Sequence, residues 1–260
     1  MKSSLIWLLS PMIFFLFLGG CAHRPALVEE LRPAYFRDWL PALQERSEHW
    51  KSYQAKVHLS AQTSDKKVNL DALIVARAPD QFRLEAFRLG QTVGVLTLNH
   101  GQSSLFVPPE KVIYTAERSE NLTDHFLGIA LPLDIFGYSL SACVPPDQLD
   151  DLQIVPHNPE WFGTPKRSFD GWSYAWQFTS MPQTIKSVRV KRGTWDYTIR
   201  YEPPVGLTVT EVPQKITYSS ALWQIELTVH ELTPVLTLQD TVFETDPARE
   251  IRRVDLRSLK

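Results

Sequence analysis

Apolar and polar positions change period along the chain, and the changes mark its elements. Phe36, Trp39, Leu40, Leu43 and Trp50 recur at helical steps, which predicts an amphipathic helix over about residues 35–50. Pro41 lacks an amide proton and crowds the preceding turn, so the helix either begins there or kinks. From Tyr53 the period drops to two. Val68, Leu70, Ala72, Ile74 and Ala76 alternate with Asn69, Asp71, Leu73 and Val75, and Phe82, Leu84 and Ala86 alternate with Arg83, Glu85 and Phe87. That is the pattern of half-buried antiparallel strands. Ala78-Pro79-Asp80-Gln81 and Asn99-His100-Gly101-Gln102 have turn chemistry, so hairpins continue as a meander through 93–98 and 103–107 to a short strand at 112–114.

Ser119 and Glu120 open a short helical stretch that Gly128 would close, and a second follows Pro132 from Leu133 to Leu140. Together they predict a helical insertion near 119–141 between two halves of a sheet. Residues 144–167, rich in Pro, Asp and Asn, read as a long loop with one strand at 152–155. Alternation then returns. Trp172, Tyr174, Trp176 and Phe178 share one face, as do Trp195, Tyr197, Ile199 and Tyr201, and again Trp223, Ile225, Leu227 and Val229. Aromatic rows on neighbouring strands with charges opposite predict a mainly β fold, a curved antiparallel sheet with a broad apolar concave face and capping helices. Phe82, Trp172, Trp176, Trp195, Tyr197 and Trp223 are its expected lining. The face is either a sealed core or a cavity; the cavity reading draws on the many Trp and Tyr polar atoms a sealed core must satisfy. The stripe at 36–50 is likewise a lid or a packed helix. The tail after Phe243, with Arg249, Arg252, Arg253, Arg257 and Lys260, reads as mainly solvated.

The N-terminus departs from both periods. Lys2 precedes an apolar run from Leu5 to Phe17, which ends at Leu18-Gly19-Gly20-Cys21. The run is shorter than the ~20 residues a spanning helix needs, and the small residues before a cysteine read as a lipoprotein cleavage site. An uncleaved anchor and an ordinary signal peptide are the alternatives. On the lipoprotein reading, residues 1–20 are a signal peptide, 21–34 a lipidated tether and 35–260 a single domain. Cys21 then carries a diacylglyceryl group and an N-acyl chain, and two or more acyl chains make anchoring effectively stable.

Composition narrows the class. Hydrophobic residues at 43% and charged residues at 22% are globular values. The 27 basic and 29 acidic side chains nearly cancel, leaving no field suited to nucleic acid. If Cys21 is acylated, Cys143 has no intrachain partner, and a lone thiol is expected to be buried and inert. None of the seven histidines stands at metal-ligand spacing, and neither a nucleophile elbow nor a Gly-rich phosphate loop is present. Ser119, Asp124 and His125 crowd into one turn, which does not supply triad geometry. Glu29-Glu30 and Asp150-Asp151 fall in tether and loop, with no cleft to make them acid and base. A metal site and an enzyme are not expected.

Three stretches carry a family resemblance. Trp50-Lys51-Ser52-Tyr53-Gln54-Ala55-Lys56-Val57 is similar to the entry from helix to first strand in the LolB family, the outer-membrane receptors of lipoprotein localisation, and more loosely in the wider LolA-like group. Phe82 to Gly90, followed by Val93 to Leu98, resembles the family's strand, exposed Leu-Gly loop and next strand, with Arg88 where a proline commonly stands. Leu127-Gly128-Ile129-Ala130-Leu131-Pro132-Leu133, with Val144-Pro145-Pro146, resembles its helix, proline and helix. The resemblance implies an open barrel of about eleven strands. It also implies binding of other lipoproteins' acyl chains in the hollow, delivery from a soluble periplasmic carrier, and Leu89 and Gly90 as a transfer loop. Ala22 after the cysteine implies outer-membrane sorting, and the protein is expected to be a monomer with its domain in the periplasm. A structural or envelope-assembly lipoprotein of the same fold without a lipid ligand is the alternative.

Overall fold

The computed structural model describes residues 32–157, 160–168, 171–180, 183–245 and 251–259. Cys21, the predicted signal peptide and most of the tether lie outside the described residues. Residues Phe36–Lys260 form one compact unit, and of the residues before it only the first turn of a helix is described. That helix, α1 (Arg32–His49), does not begin at Pro41 but continues through it. Pro41 is exposed, so water can serve the carbonyl left without a donor, and one missing bond does not end the helix.

Fourteen strands among the described residues make one unclosed sheet. β1 (Ser52–Thr63), β2 (Lys67–Arg77), β3 (Gln81–Arg88), β4 (Gln91–Asn99), β5 (Gln102–Val107) and β6 (Val112–Ala116) form the first meander. β7 (Leu152–His157), β8 (Glu160–Pro165), β9 (Ser173–Ser180), β10 (Gln183–Arg192), β11 (Trp195–Gly206), β12 (Lys215–Ser219) and β13 (Trp223–Pro234) form the second. The two meet where β1 pairs antiparallel with β13, Thr63 facing Trp223 and Tyr53 facing Pro234. Between them lie α2 (Ser119–Leu127), α3 (Leu133–Leu140) and the single turn α4 (Pro146–Leu149). The predicted helical insertion is thus present, and Gly128 ends α2 in the left-handed region with its N–H on the carbonyls of Asp124 and Thr123.

Two expectations need correction, and they account for much of the difference between about eleven strands and fourteen. Residues 144–167 are not a long loop: they hold α4 and the hairpin of β7 and β8. Pro156 and Pro165 obscured the alternation, but Pro156 is on β7, the outer strand of the sheet, and Pro165 ends β8 beyond its pairing with β9, so in both places a missing amide proton can be tolerated. The tail is not simply solvated. Phe243 is buried with the Arg77 guanidinium 5.4 Å from its ring centre, Arg83 donates to the carbonyls of Val242 and Glu244, and β14 (Arg252–Asp255) pairs parallel with β6. Leu256 then packs with Ala116 and Leu122. Arginines on a short edge strand resemble a solvated segment because charge is how such edges avoid unwanted pairing.

Candidate functional site

The concave face is built from the inward positions of both meanders. Phe82, Trp172, Trp176, Tyr197 and Trp223 are buried in one apolar cluster, and Trp195 is half-buried against it. The rings of Trp172 and Tyr197 lie 6.3 Å apart, and those of Tyr197 and Trp223 5.6 Å. The structure therefore brings the six predicted lining residues together on the core side. What covers them is the protein itself. Trp39 of α1 tilts against Trp161 and Phe178 at 5.5 and 5.6 Å, which makes the α1 stripe a packed helix. Phe136 of α3 meets Phe82 edge-on at 5.6 Å and stacks on Tyr218 at 5.2 Å. Two of the pockets that α3 lines are no larger than about 20 and 10 Å³.

Polar contacts seat α3 as much as apolar ones do. The Ser119 hydroxyl accepts the Leu133 N–H at 3.0 Å, and Thr123 Oγ1 accepts the Leu131 N–H at 2.9 Å. Midway, the Tyr53 hydroxyl donates to the Gly137 carbonyl, and the hydroxyls of Ser139 and Tyr218 bond to each other. At its far end a fully buried Arg46 takes hold: Nε donates to Ala142 O at 3.1 Å and Nη2 to Ser141 O at 2.6 Å. The same guanidinium donates to the carbonyls of Gly206, Thr208 and Glu211, joining α1, the end of α3 and the loop after β11. Burial lowers its pKa. Cys143, buried as expected, has its thiol pKa raised by desolvation and lies 3.6 Å from the Arg46 carbonyl. The sequence reading missed Arg46, although its place in the stripe Trp39, Leu43, Arg46, Trp50 was a signal: a cation at an inward position.

The polar handles divide into two groups. Trp50 Nε1 donates to Val209 O at 3.0 Å and Trp176 Nε1 to Gln148 at 3.3 Å. Trp39 Nε1 and the hydroxyls of Tyr197 and Tyr201 are buried without a hydrogen-bond partner among the described residues. Each such orphan costs about 1–3 kcal/mol, so the closed face carries an uncompensated polar load.

A cleft of about 290 Å³ opens beside α3, with Tyr138, Trp172 and Tyr174 among its walls and Glu120, Asp134 and Asp147 among its acids. Glu120 is paired with Arg118 at 3.0 Å and Arg192 at 2.5 Å. Asp134 is exposed to the cleft, yet the protein around its carboxylate desolvates it enough to push its pKa up to about 6; the same cause raises Asp147.

Leu89 and Gly90 form a two-residue turn between β3 and β4, closed by the pairing of Arg88 with Gln91. Both have positive φ, 51° for Leu89 and 77° for Gly90, as a type I′ turn requires. Leu89 is 98% exposed. The Ser119 hydroxyl, at the start of α2, is taken up by the Leu133 N–H and has no hydrogen bond to His125 among the described residues, and these residues contain no cluster of three metal-ligating side chains. No helix among them is long and apolar enough to cross a membrane.

By sequence the chain matches no protein-family model and no curated protein. Its structure is similar to a DUF1329 family protein from Desulfovibrio piger, with TM-score 0.56 and 9% identity over 82% of this chain and 97% of that one. It is similar to a LolA superfamily protein from Nitrosomonas europaea, with TM-score 0.54 and 12% identity over 80% and 97%. A third is an outer membrane lipoprotein-sorting protein domain from Vibrio parahaemolyticus, with TM-score 0.53 and 11% identity over 80% and 97%. At such identities the likeness is one of fold: a large, curved, unclosed antiparallel sheet with few helices, which is LolA-like.

Proposed function

We propose that the protein is a lipid-anchored envelope protein that binds acyl chains on its concave face and helps place lipoproteins in the outer membrane, as a LolB-like receptor would. It acts by binding and transfer rather than catalysis. The observation that carries the reading is the aromatic concave face, covered at its centre by the eight-residue helix α3. Withdrawal of α3 would expose Phe82 and Tyr218 to an acyl chain, which recovers the apolar contact that Phe136 gives up. The names of two similar folds, a LolA superfamily protein and a lipoprotein-sorting domain, support an envelope location. Leu89, held out by its turn, is the transfer tip, and acylated Cys21 the anchor. The lipoprotein arrives from a soluble carrier, and the protein works as a monomer.

The second reading, an envelope-assembly protein with no lipid ligand, is favoured by the two pockets of only about 20 and 10 Å³ where α3 meets Phe82 and Trp176. Native mass spectrometry of gently purified protein separates the two. A co-purifying acyl species at one per chain is expected; a ligand-free chain under every mild extraction favours the assembly reading. Leu89→Glu should fold and bind ligand normally yet deliver lipoprotein poorly to liposomes, because burying a carboxylate in lipid is far costlier than leaving it in water. Unchanged delivery would remove Leu89 from the mechanism. Cys21→Ala should leave an exported protein that no longer sediments with membranes; retention through high salt and carbonate would place the anchor elsewhere.

A further inference from the structure

Leu89 is not the only leucine held out on a hairpin tip. Leu222, 80% exposed, sits in the turn between β12 and β13, where Ser219 pairs with Gln224 and the Ser220 N–H bonds to the Trp223 carbonyl at 2.9 Å. The Ser220 hydroxyl accepts the N–H groups of both Leu222 and Trp223, at 3.1 and 3.2 Å. Trp223 itself is buried against Tyr197. A buried root and a tied backbone fix Leu222 outward, so its exposure is built into the turn.

The strand order places these tips on one edge. β4, β3, β2, β1, β13 and β12 are consecutive neighbours, each antiparallel to the next, so the turns β3–β4, β1–β2 and β12–β13 all leave the sheet at the same strand end. Two strands separate each turn from the next, about 10 Å of sheet width. The middle turn, Ser64-Asp65, is closed by Thr63 N–H on Lys66 O at 2.9 Å. Exposed Lys66 and Lys67 flank it, and exposed Arg88 flanks Leu89. None of these three cations has an ion-pair partner among the described residues, and Asp65 is the acid at the middle tip. Apolar tips interleaved with unpaired cations match a bilayer bearing anionic headgroups: leucines enter the acyl boundary, and each nearby cation adds attraction to the surface charge.

We infer that the three turns form one docking edge for an anionic phospholipid surface, with Leu222 a second inserting residue beside Leu89. The inference rests on the reading of Leu89 as a bilayer-facing tip and extends it to how the domain is oriented. The register sets Leu89 level with Ser60 and Glu226, about four residues short of Leu222 along the strands, so the edge is oblique; two tips roughly 24 Å apart hold it against the bilayer, where one would leave the domain free to pivot.

The test uses the full lipid-bearing chain in vesicles of phosphatidylethanolamine and phosphatidylglycerol. Nitroxide labels at Leu89→Cys, Leu222→Cys and, as control, Leu236→Cys report collision with oxygen against an aqueous nickel chelate. The unsubstituted chain sets the background, since Cys143 is buried. Leu236 is fully exposed but follows β13 at the opposite strand end. The expected result is a several-fold rise in the oxygen-to-nickel ratio at 89 and 222, none at 236, and loss of the rise in pure phosphatidylcholine vesicles or with Lys66→Glu and Lys67→Glu together. A rise at 89 alone overturns the docking edge and leaves the transfer-tip reading standing. A rise at none, or equally at all three, overturns the edge and the tip together, while acyl binding on the concave face is judged separately by the mass measurement. A rise indifferent to lipid charge overturns the anionic surface as partner.

Discussion

Leu89 occupies a backbone conformation that costs an ordinary L-residue about 1–2 kcal/mol, at a tip where its side chain contributes no packing. Asparagine suits that position of a type I′ turn better. Leu89→Asn should therefore raise stability by ~1 kcal/mol in urea unfolding while lowering delivery to liposomes; a variant that gains stability and keeps full delivery would show the leucine to be incidental. Arg46 is the converse case, a residue whose environment demands it. Arg46→Met leaves five carbonyls without their donor and should cost about 3–5 kcal/mol. Arg46→Lys should recover only part, because an ammonium cannot reproduce the fork that spans Ser141, Ala142, Gly206, Thr208 and Glu211. Equal stability of the lysine variant and the native chain would contradict the account of these contacts. The turn at Leu89 was legible in the sequence, since Gly90 between two alternating runs predicts it. The partners of Arg46 were not, because they are backbone carbonyls 95–165 residues away, and no side-chain pattern records them.

At the scale of the element, α3 is what packs over Phe82 and Tyr218 on the concave face. A Cβ at Gly137 would meet Phe82 at 3.7 Å and Ala76 at 3.9 Å, ordinary packing distances. Gly137→Ala should stabilise the seated helix by about 1 kcal/mol, raising the melting temperature. If acyl chains compete with α3, the same change should weaken their binding about fivefold; tighter binding would mean that α3 is not the competitor. Asp134, in the first turn of α3, titrates near 6 in the fold against an ordinary 3.8. The folded protein then holds this proton more tightly than the unfolded chain, so the group's penalty is full above about pH 6 and fades as pH falls toward 3.8. Asp134→Asn should raise stability at pH 7, change it little at pH 4, and flatten the slope between; an unaltered slope would show that Asp134 is not the group responsible. The element types of α2 and α3 were readable because Gly128 and Pro132 punctuate them. The hairpin of β7 and β8 and the edge strand β14 were not, since proline and arginine on outer strands satisfy edge requirements while erasing the alternation that marks inner ones.

At the scale of the molecule, a six-strand and a seven-strand meander share one concave face through the pairing of β1 with β13, and β14 extends the outer edge of the first. The aromatic rows announced that face, because strand period puts Trp172, Tyr174, Trp176 and Phe178 on one side whatever the register. Whether the face was void or filled was not written there, since filling depends on where α1 and α3 come to rest. The central claim is that α3 yields its place to an acyl chain. Hydrogen exchange of the α3 amides, Leu133–Leu140, measured with and without a triacylated lipopeptide, tests it most directly. The account predicts that exchange in α3 accelerates on binding while β9 to β12 beneath it become more protected. Saturating ligand that leaves α3 as slow as before, with protection appearing only on the outer face of the sheet, would contradict it.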